Sequence, residues 1–332
     1  MLYIILASPR VRGTLTEVGT PLKGKKILVT GGAGFVGSNL VTALADDNKI
    51  FVLDNLHTGN VLNIDNVMGK IELQVLDTED IFQVDFAPDI IFHLGMYSST
   101  PMYKENRNLV RRVVDGAIEV LEFAKRHNAR VVLASSSSIY NGHPVPQNEE
   151  MIPRVTDFYT EARLSAERLT ELYSKMFGLK ASCLRFFSVY GPGERSKGRF
   201  ANLISQFMWD IEDGRNPVVY GDGSQTRDFI YVDDVVDACV RAAQSERSGV
   251  FNVGTGVSFT VNEMLSKVMD AVGKHPPVEY VKTPISNYVL HTQADITRAQ
   301  RELGFKARYS LDEGIGLTLR SQADSLVPRL KT

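Results

Sequence analysis

Thr30-Gly31-Gly32-Ala33-Gly34-Phe35-Val36-Gly37 is the stretch on which the reading of this chain turns. Glycines 31, 34 and 37 recur at every third position. The apolar run Ile27-Leu28-Val29 precedes them, and a helical pattern from Ser38 to Ala45 follows. Glycine lets the backbone turn with positive φ and lets a ligand approach with no Cβ in the way. The helix start then offers unpaired N–H groups and the positive end of its dipole to a phosphate. A glycine triplet alone is a weak signal. A strand before it and a helix after it are the context that a dinucleotide-binding turn requires.

A second apolar run, Ile50-Phe51-Val52-Leu53, ends on Asp54, 23 residues after Gly31. A carboxylate there accepts hydrogen bonds from ribose hydroxyls and repels a 2′-phosphate. No arginine lies in Asn55-Leu56-His57-Thr58. The expected dinucleotide is therefore NAD rather than NADP.

Outward from these runs the pattern repeats. Strands are predicted at Leu73–Leu76, Ile90–Leu94, Arg130–Ala134, Ala181–Arg185 and Val250–Val253, and helices at Glu105–His127, Asp157–Phe177 and Val235–Ala243. Short unbroken apolar runs between helices indicate strands buried on both faces. The expected fold is α/β: a Rossmann-type doubly wound parallel sheet with a smaller C-terminal substrate-binding domain. Residues 1–24 read as an extension that packs on the domain surface. Residues 25–190 read as the cofactor domain, with 230–256 returning to it, and 191–229 with 257–332 as the smaller domain.

Composition excludes several classes. The 332 residues are 43% hydrophobic and 23% charged with net charge −2, so there is no general case for binding nucleic acid or an anionic membrane. No run reaches the roughly 18–20 apolar residues of a membrane span, and the short apolar start has its arginines after it, unlike a secretory signal. A cytoplasmic protein is the default. Cys183 and Cys239 sit in apolar segments and read as buried free thiols. The six histidines show no paired ligand spacing, so no metal site is expected.

Further motifs join the glycine turn: Asp54-Asn55-Leu56, His93-Leu94, Ser135-Ser136-Ser137-Ser138-Ile139-Tyr140, Tyr159 with Glu167, Arg185-Phe186-Phe187, Tyr190-Gly191-Pro192-Gly193, Tyr220-Gly221-Asp222-Gly223, Arg227 to Asp234 and Asn252-Val253-Gly254-Thr255-Gly256. Over residues 25 to about 316 the chain resembles the extended short-chain dehydrogenases/reductases of the nucleotide-sugar epimerase and dehydratase group. That resemblance implies Tyr159 as the base at a sugar hydroxyl, Ser136 as its hydrogen-bonding partner, and Arg163 where the family carries lysine. It implies cofactor contacts at Gly31, Gly34, Phe35, Val36, Gly37, Asp54, Asn55, Thr58, Gly59, Asp77, Thr78, Leu94, Gly95, Ser98 and Phe186, besides Tyr159 and Arg163. For the substrate it implies Ser136, Phe187, Ser188, Asn202, Leu203, Val218, Tyr220 and Arg227, with Arg227 on the diphosphate.

An unperturbed phenol titrates near pH 10, so the base needs positive charge beside it. Arg163, one helical turn along, supplies a fixed charge. On that reading a lysine serves as well or better, and a neutral methionine lowers the rate and raises the pH optimum. The other reading of Arg163 is a surface ion pair with Glu167, and that of Arg227 a salt-bridged surface arginine. Other departures from the family are Ser188 for asparagine, Val113 for asparagine, and Pro284-Ile285-Ser286-Asn287-Tyr288 where an arginine and an aspartate usually grip the diphosphate. Lys282 lies near that last stretch.

Dehydratases of the group place acids after the catalytic hydroxyl, where this chain has Ser137 and Ser138, and decarboxylases usually place a glutamate there. The reading is an NAD-dependent nucleotide-sugar 4-epimerase, with a UDP-sugar as substrate. The alternatives are a 4,6-dehydratase or decarboxylase, or an NAD-binding protein with weakened chemistry. The helices near 105–127 and 157–177 resemble a family dimer interface. Leu164, Leu169, Leu172 and Met176 recur at near-helical spacing, and a homodimer is expected.

Overall fold

A computed structural model describes residues 22–283 and 288–326. Nearly all of the N-terminal extension lies outside the described residues, and so do Pro284 to Asn287. The chain runs β1 (Lys26–Thr30), α1 (Phe35–Leu44), β2 (Lys49–Leu53), β3 (Ile71–Gln74), β4 (Ile90–His93), α2 (Thr100–Glu105), α3 (Leu109–His127), β5 (Arg130–Ser136), α4 (Phe158–Phe177), β6 (Ala181–Phe186) and β7 (Ser188–Tyr190). There follow α5 (Leu203–Glu212), β8 (Val218–Tyr220), β9 (Thr226–Arg227), β10 (Phe229–Tyr231), α6 (Val232–Gln244), β11 (Gly249–Val253), β12 (Phe259–Thr260), α7 (Val261–Val272), β13 (Glu279–Val281), α8 (Thr297–Leu303) and α9 (Leu311–Leu326).

Seven strands form one parallel sheet in the order β11-β6-β5-β4-β1-β2-β3. Alternate residues of each strand serve opposite faces. Ile27, Val29, Ile90 and Phe92 pack with α1, α6 and α8, while Leu28, Ile91, Val131 and Leu133 pack with α3 and α4. Both faces are apolar, which explains the unbroken runs in the sequence. Burying each such side chain contributes about 1.5–3 kcal/mol. This is the Rossmann-type α/β fold. A third apolar cluster, built by α5, α7 and α9 with β7 and β10, lies apart from the sheet.

Several boundaries differ from those predicted. The helix expected over 105–127 starts at Leu109, because the Asn106 side chain accepts the Asn108 N–H at 3.0 Å and turns the chain, and a short unpredicted helix, α2, precedes that turn. α1 starts at Phe35, since Gly34 can serve as its N-cap. β3 lies two residues earlier than expected, aligned with β2 from Ile50↔Ile71 to Leu53↔Gln74. Both cysteines are buried and free. No helix among the described residues is long and apolar enough to cross a membrane.

His93 closes β4 with its ring 1% exposed, and its Nδ1 pairs with Thr30 Oγ1 at 2.8 Å. Burial, aided by the Arg163 charge, pushes its pKa down to about 3. Between pH 6.5 and 3 the unfolded chain therefore binds a proton that the native state refuses, and stability falls as pH drops through that window. Urea unfolding at a series of pH values should show a gentler loss for His93→Gln. The difference from wild type should approach, and not exceed, about 1.4 kcal/mol per pH unit. Parallel curves for the two proteins would remove His93 as the cause.

Candidate active site

A cleft of about 830 Å³ opens at the carboxyl ends of β1, β4 and β5, where ligands of open parallel sheets bind. Its floor is backbone. Gly31 has φ +70, and a Cβ on it would lie 2.7 Å from the Gly95 Cα; a Cβ on Gly37 would lie 2.0 Å from the Gly31 oxygen. Neither position admits a side chain. The N-cap Gly34 has no side chain to accept from the first turn of α1, so that turn's N–H groups stay available to an anion. Asp54 is buried at the end of β2. Its Oδ2 accepts the Ala33 N–H at 2.9 Å and its Oδ1 the Leu56 N–H at 2.8 Å. Burial pushes this carboxyl above the ordinary carboxylate range, while backbone donors of Leu56, Ala33 and Gly34 pull it back. A glycine cradle, an uncapped helix start and a carboxylate beyond the next strand fit a dinucleotide.

Most of the sequence-derived cofactor residues line this cleft: Gly31, Gly34, Phe35, Val36, Gly37, Asp54, Asn55, Thr58, Gly59, Thr78, Leu94, Gly95, Ser98, Tyr159, Arg163 and Phe186. Asp77 is not in the wall. Its carboxylate is held by the Asn55 amide at 2.7 Å and by Arg112 at 2.5 Å, and the first of these does most to hold its pKa low. Ser136, Phe187, Ser188, Asn202, Leu203, Tyr220 and Arg227 also line the cleft, whereas Val218 does not.

Ser136 ends β5, and its Oγ accepts the Ser138 N–H at 3.1 Å. Tyr159 and Arg163 sit one turn apart at the start of α4, whose N-cap Asp157 accepts the Thr160 N–H at 2.8 Å. Beneath Ser136 lies a buried polar network. Ser135 donates to Glu167. Arg185 Nη2 meets Glu167 Oε2 at 2.7 Å, Arg185 Nη1 reaches the Tyr140 hydroxyl at 2.7 Å, and that hydroxyl donates to Asn252 Oδ1 at 2.8 Å. Glu167 therefore pairs with Arg185, not with Arg163. The surface ion pair considered for Arg163 is absent, because Arg163 points inward and is 4% exposed.

Arg227 is not a salt-bridged surface arginine either. Its guanidinium donates to the carbonyls of Thr226 at 2.8 Å, Leu290 at 3.1 Å and Val289, and it lies over the Tyr288 ring. No carboxylate among the described residues pairs with it. Burial pushes its pKa below the usual arginine value, as expected of a cation short of an anion. Asn202 caps α5 through the Ile204 N–H at 3.1 Å and donates to Ser188 Oγ at 3.1 Å.

Sequence reading missed Lys104, Arg112, Lys197 and Arg199, all of which line the cleft. Lys197 lies 5.3 Å from the Phe35 ring centroid, beside the glycine turn, and pairs with the buried Glu194 at 3.1 Å. The run Arg195-Ser196-Lys197-Gly198-Arg199, set just after Tyr190-Gly191-Pro192-Gly193, was the available signal. No group of three or more possible metal ligands occurs among the described residues.

Comparisons agree with this geometry. Residues 27–254 match the NAD dependent epimerase/dehydratase family. A putative UDP-glucose 4-epimerase of Methanocaldococcus jannaschii is 32% identical over 300 residues, covering 87% of this chain and 95% of that protein. UDP-glucuronic acid decarboxylase 1 of Arabidopsis thaliana is 30% identical, covering 94% of this chain and 76% of that protein. Among solved structures, a UDP-N-acetylglucosamine 4-epimerase from Methanobrevibacter ruminantium M1, in complex with UDP-N-acetylmuramic acid, superposes with TM-score 0.86 at 30% identity, covering 92% of this chain and all of that one. With its glycine cradle, its seven-stranded sheet and these matches, the chain belongs to the NAD dependent epimerase/dehydratase family, whose cofactor is NAD.

Proposed function

We propose that this protein is a nucleotide-sugar 4-epimerase acting on a UDP-sugar. One observation carries the choice: among the described residues, the carboxylates lining the cleft are Asp54, Glu79 and Asp157, and each is already engaged. Asp54 holds the glycine turn, Glu79 accepts from Arg112 at 2.7 Å, and Asp157 caps α4. Beside Ser136 the chain offers only the hydroxyls of Ser137 and Ser138. Elimination of water across C5 and C6 needs an acid–base pair there, and a serine hydroxyl does not supply one at neutral pH. Epimerisation needs only oxidation, rotation of the keto sugar and reduction on the other face.

Tyr159 acts as the base that removes the proton of the C4 hydroxyl and later returns one to the C4 oxygen. Ser136 hydrogen-bonds the same oxygen. Bound NAD supplies the hydride acceptor and donor, held by Gly31 to Gly37 and Asp54. Arg227, lacking a carboxylate, takes the diphosphate. Tyr220, Asn202, Leu203, Phe187 and Ser188 hold the rest of the nucleotide sugar. On this reading residues 25–190 and the segment that includes β11 carry the cofactor, while 191–229 and the chain after 257 carry the substrate.

A second reading has one feature in its favour. Lys104 and Arg227 line the cleft without a carboxylate partner among the described residues, while Lys197 and Arg199 pair with Glu194 and Glu105, and the two unpaired cations suit an acidic sugar. Oxidation at C4 of a uronic acid also prepares it to lose CO₂, with no further acid–base pair. A nucleotide-uronate substrate, epimerised or decarboxylated, is that reading.

α4 leaves Leu172 and Met176 exposed on its outer side, whereas Leu164 is buried within the chain. We assign the exposed pair to a homodimer contact. Light scattering at micromolar concentration should give twice the chain mass, and Leu172→Glu should shift the protein toward monomer. A monomeric wild type contradicts the assembly.

Incubation with UDP-, GDP-, CDP- and dTDP-sugars, uronates included, should yield C4-inverted UDP-sugar by NMR and no 4-keto-6-deoxy product. On that substrate Tyr159→Phe should abolish turnover with NAD still bound. Arg227→Ala should raise KM by about 10–100-fold, as expected for a lost charge-assisted contact. A 4-keto-6-deoxy product, CO₂ release as the main reaction, or active Tyr159→Phe refutes the corresponding part.

A further inference from the structure

A second aromatic ring and a guanidinium lie against the ring of Tyr159. The Tyr103 ring, from α2, meets it at 5.5 Å between centroids with planes 61° apart, and the Arg163 guanidinium carbon lies 5.2 Å from its centroid. Both neighbours end on the same atom. The Tyr97 carbonyl oxygen accepts the Tyr103 hydroxyl at 3.1 Å and Arg163 Nη2 at 2.8 Å. Arg163 also donates from Nη1 to the Ala134 oxygen at 2.8 Å and from Nη2 to the Met96 oxygen at 3.4 Å.

These carbonyls want donors for a topological reason. β4 pairs with β5 only as far as His93↔Leu133, yet β5 continues to Ser136 alongside β6. Ala134 is the first residue past that pairing, while Met96 and Tyr97 lie in the turn after β4. Buried carbonyls at such an edge must be satisfied by something other than a strand. A guanidinium carries its donors on separate nitrogens in a rigid plane, so it can serve two chain segments at once; an ammonium is a single point on a flexible stem.

We propose that Tyr103 and Arg163 are positioning residues that set the Tyr159 ring through their shared hold on the Tyr97 carbonyl, and that Arg163 is needed for its planar fork as well as its charge. The proposal rests on Tyr159 being the base. It replaces the expectation that lysine at 163 would serve equally well. Lysine keeps the charge but releases one of the two segments, and the ring loses part of its support.

The test uses the full-length NAD-bound protein with carbon-13-labelled tyrosine, the Tyr159 signals being identified by their loss in Tyr159→Phe. Wild type should show separate NMR signals for the two ring edges, because the clamp slows ring flips; Tyr103→Phe and Arg163→Lys should each give one averaged set. With the sugar nucleotide that wild type turns over, each variant should lower kcat by about tenfold, the scale of a misplaced catalytic group. KM and NAD affinity should stay within about twofold, and the pH profile should keep its position because the charge remains. The double variant should fall little below the worse single one, since both act through one carbonyl. Averaged ring signals in wild type, or wild-type kcat in both variants, overturn the proposal. Tyr103→Phe retains the ring and its packing, and it decides alone if Arg163→Lys does not fold. Turnover by Tyr159→Phe would instead refute the base assignment, with the ring signals still judging the clamp.

Discussion

The approach of Gly31 to Gly37 and to Gly95 is the constraint on which the site depends. Three backbone segments meet where a methyl group on either of the first two glycines would collide with main-chain atoms at 2.0–2.7 Å. β1 can therefore turn straight into α1 while the loop after β4 lies against it. A bare floor and an uncapped helix start result, and Asp54 is drawn in to bond the turn from its far side. The same bonds that shape the turn keep Asp54 buried beside the cleft, so folding of the loop and binding of a ribose use one carboxylate.

A second constraint is the unequal length of β4 and β5. Where β5 outruns its neighbour, side chains take over the bonding that a strand would have made. Arg163 joins Ala134 of β5 to the Met96 and Tyr97 carbonyls after β4, and the Ser135–Glu167–Arg185–Tyr140–Asn252 network secures β5 to α4, β6 and β11. An Arg–Glu pair this deeply buried contributes little net stability compared with apolar packing, but losing one partner typically costs about 3–5 kcal/mol. Its value here is geometric: it holds the strand end that bears Ser136 against the helix that bears Tyr159.

The sheet was legible because its strands are buried on both faces and so read as unbroken apolar runs. The glycine turn was legible because its spacing answers to backbone sterics. The cleft wall was mostly legible through motifs. What escaped shares a cause, since it depends on partners distant in sequence. Asp77 leaves the wall because Arg112 and Asn55 hold it. Glu167 belongs to Arg185, 18 residues on, although a helical turn separates it from Arg163. Tyr103 lay ahead of the helix predicted from Glu105, in the short helix α2 that the sequence reading did not anticipate, and it meets Tyr159 across the fold. Arg163 read as a charge in a lysine's place, because nothing in a linear pattern reveals that β4 stops short of β5.

The central claim is that oxidation and reduction occur at one carbon of a nucleotide sugar that never leaves the site. It is tested most directly with the UDP-sugar that the protein turns over, deuterated at C4 and incubated with the NAD-bound protein in ordinary water. The account predicts the C4 epimer of that sugar nucleotide with the deuterium kept at C4, since the hydride is taken and given back without meeting solvent. Loss of the label to water, or product formed with C4 unchanged, would contradict it.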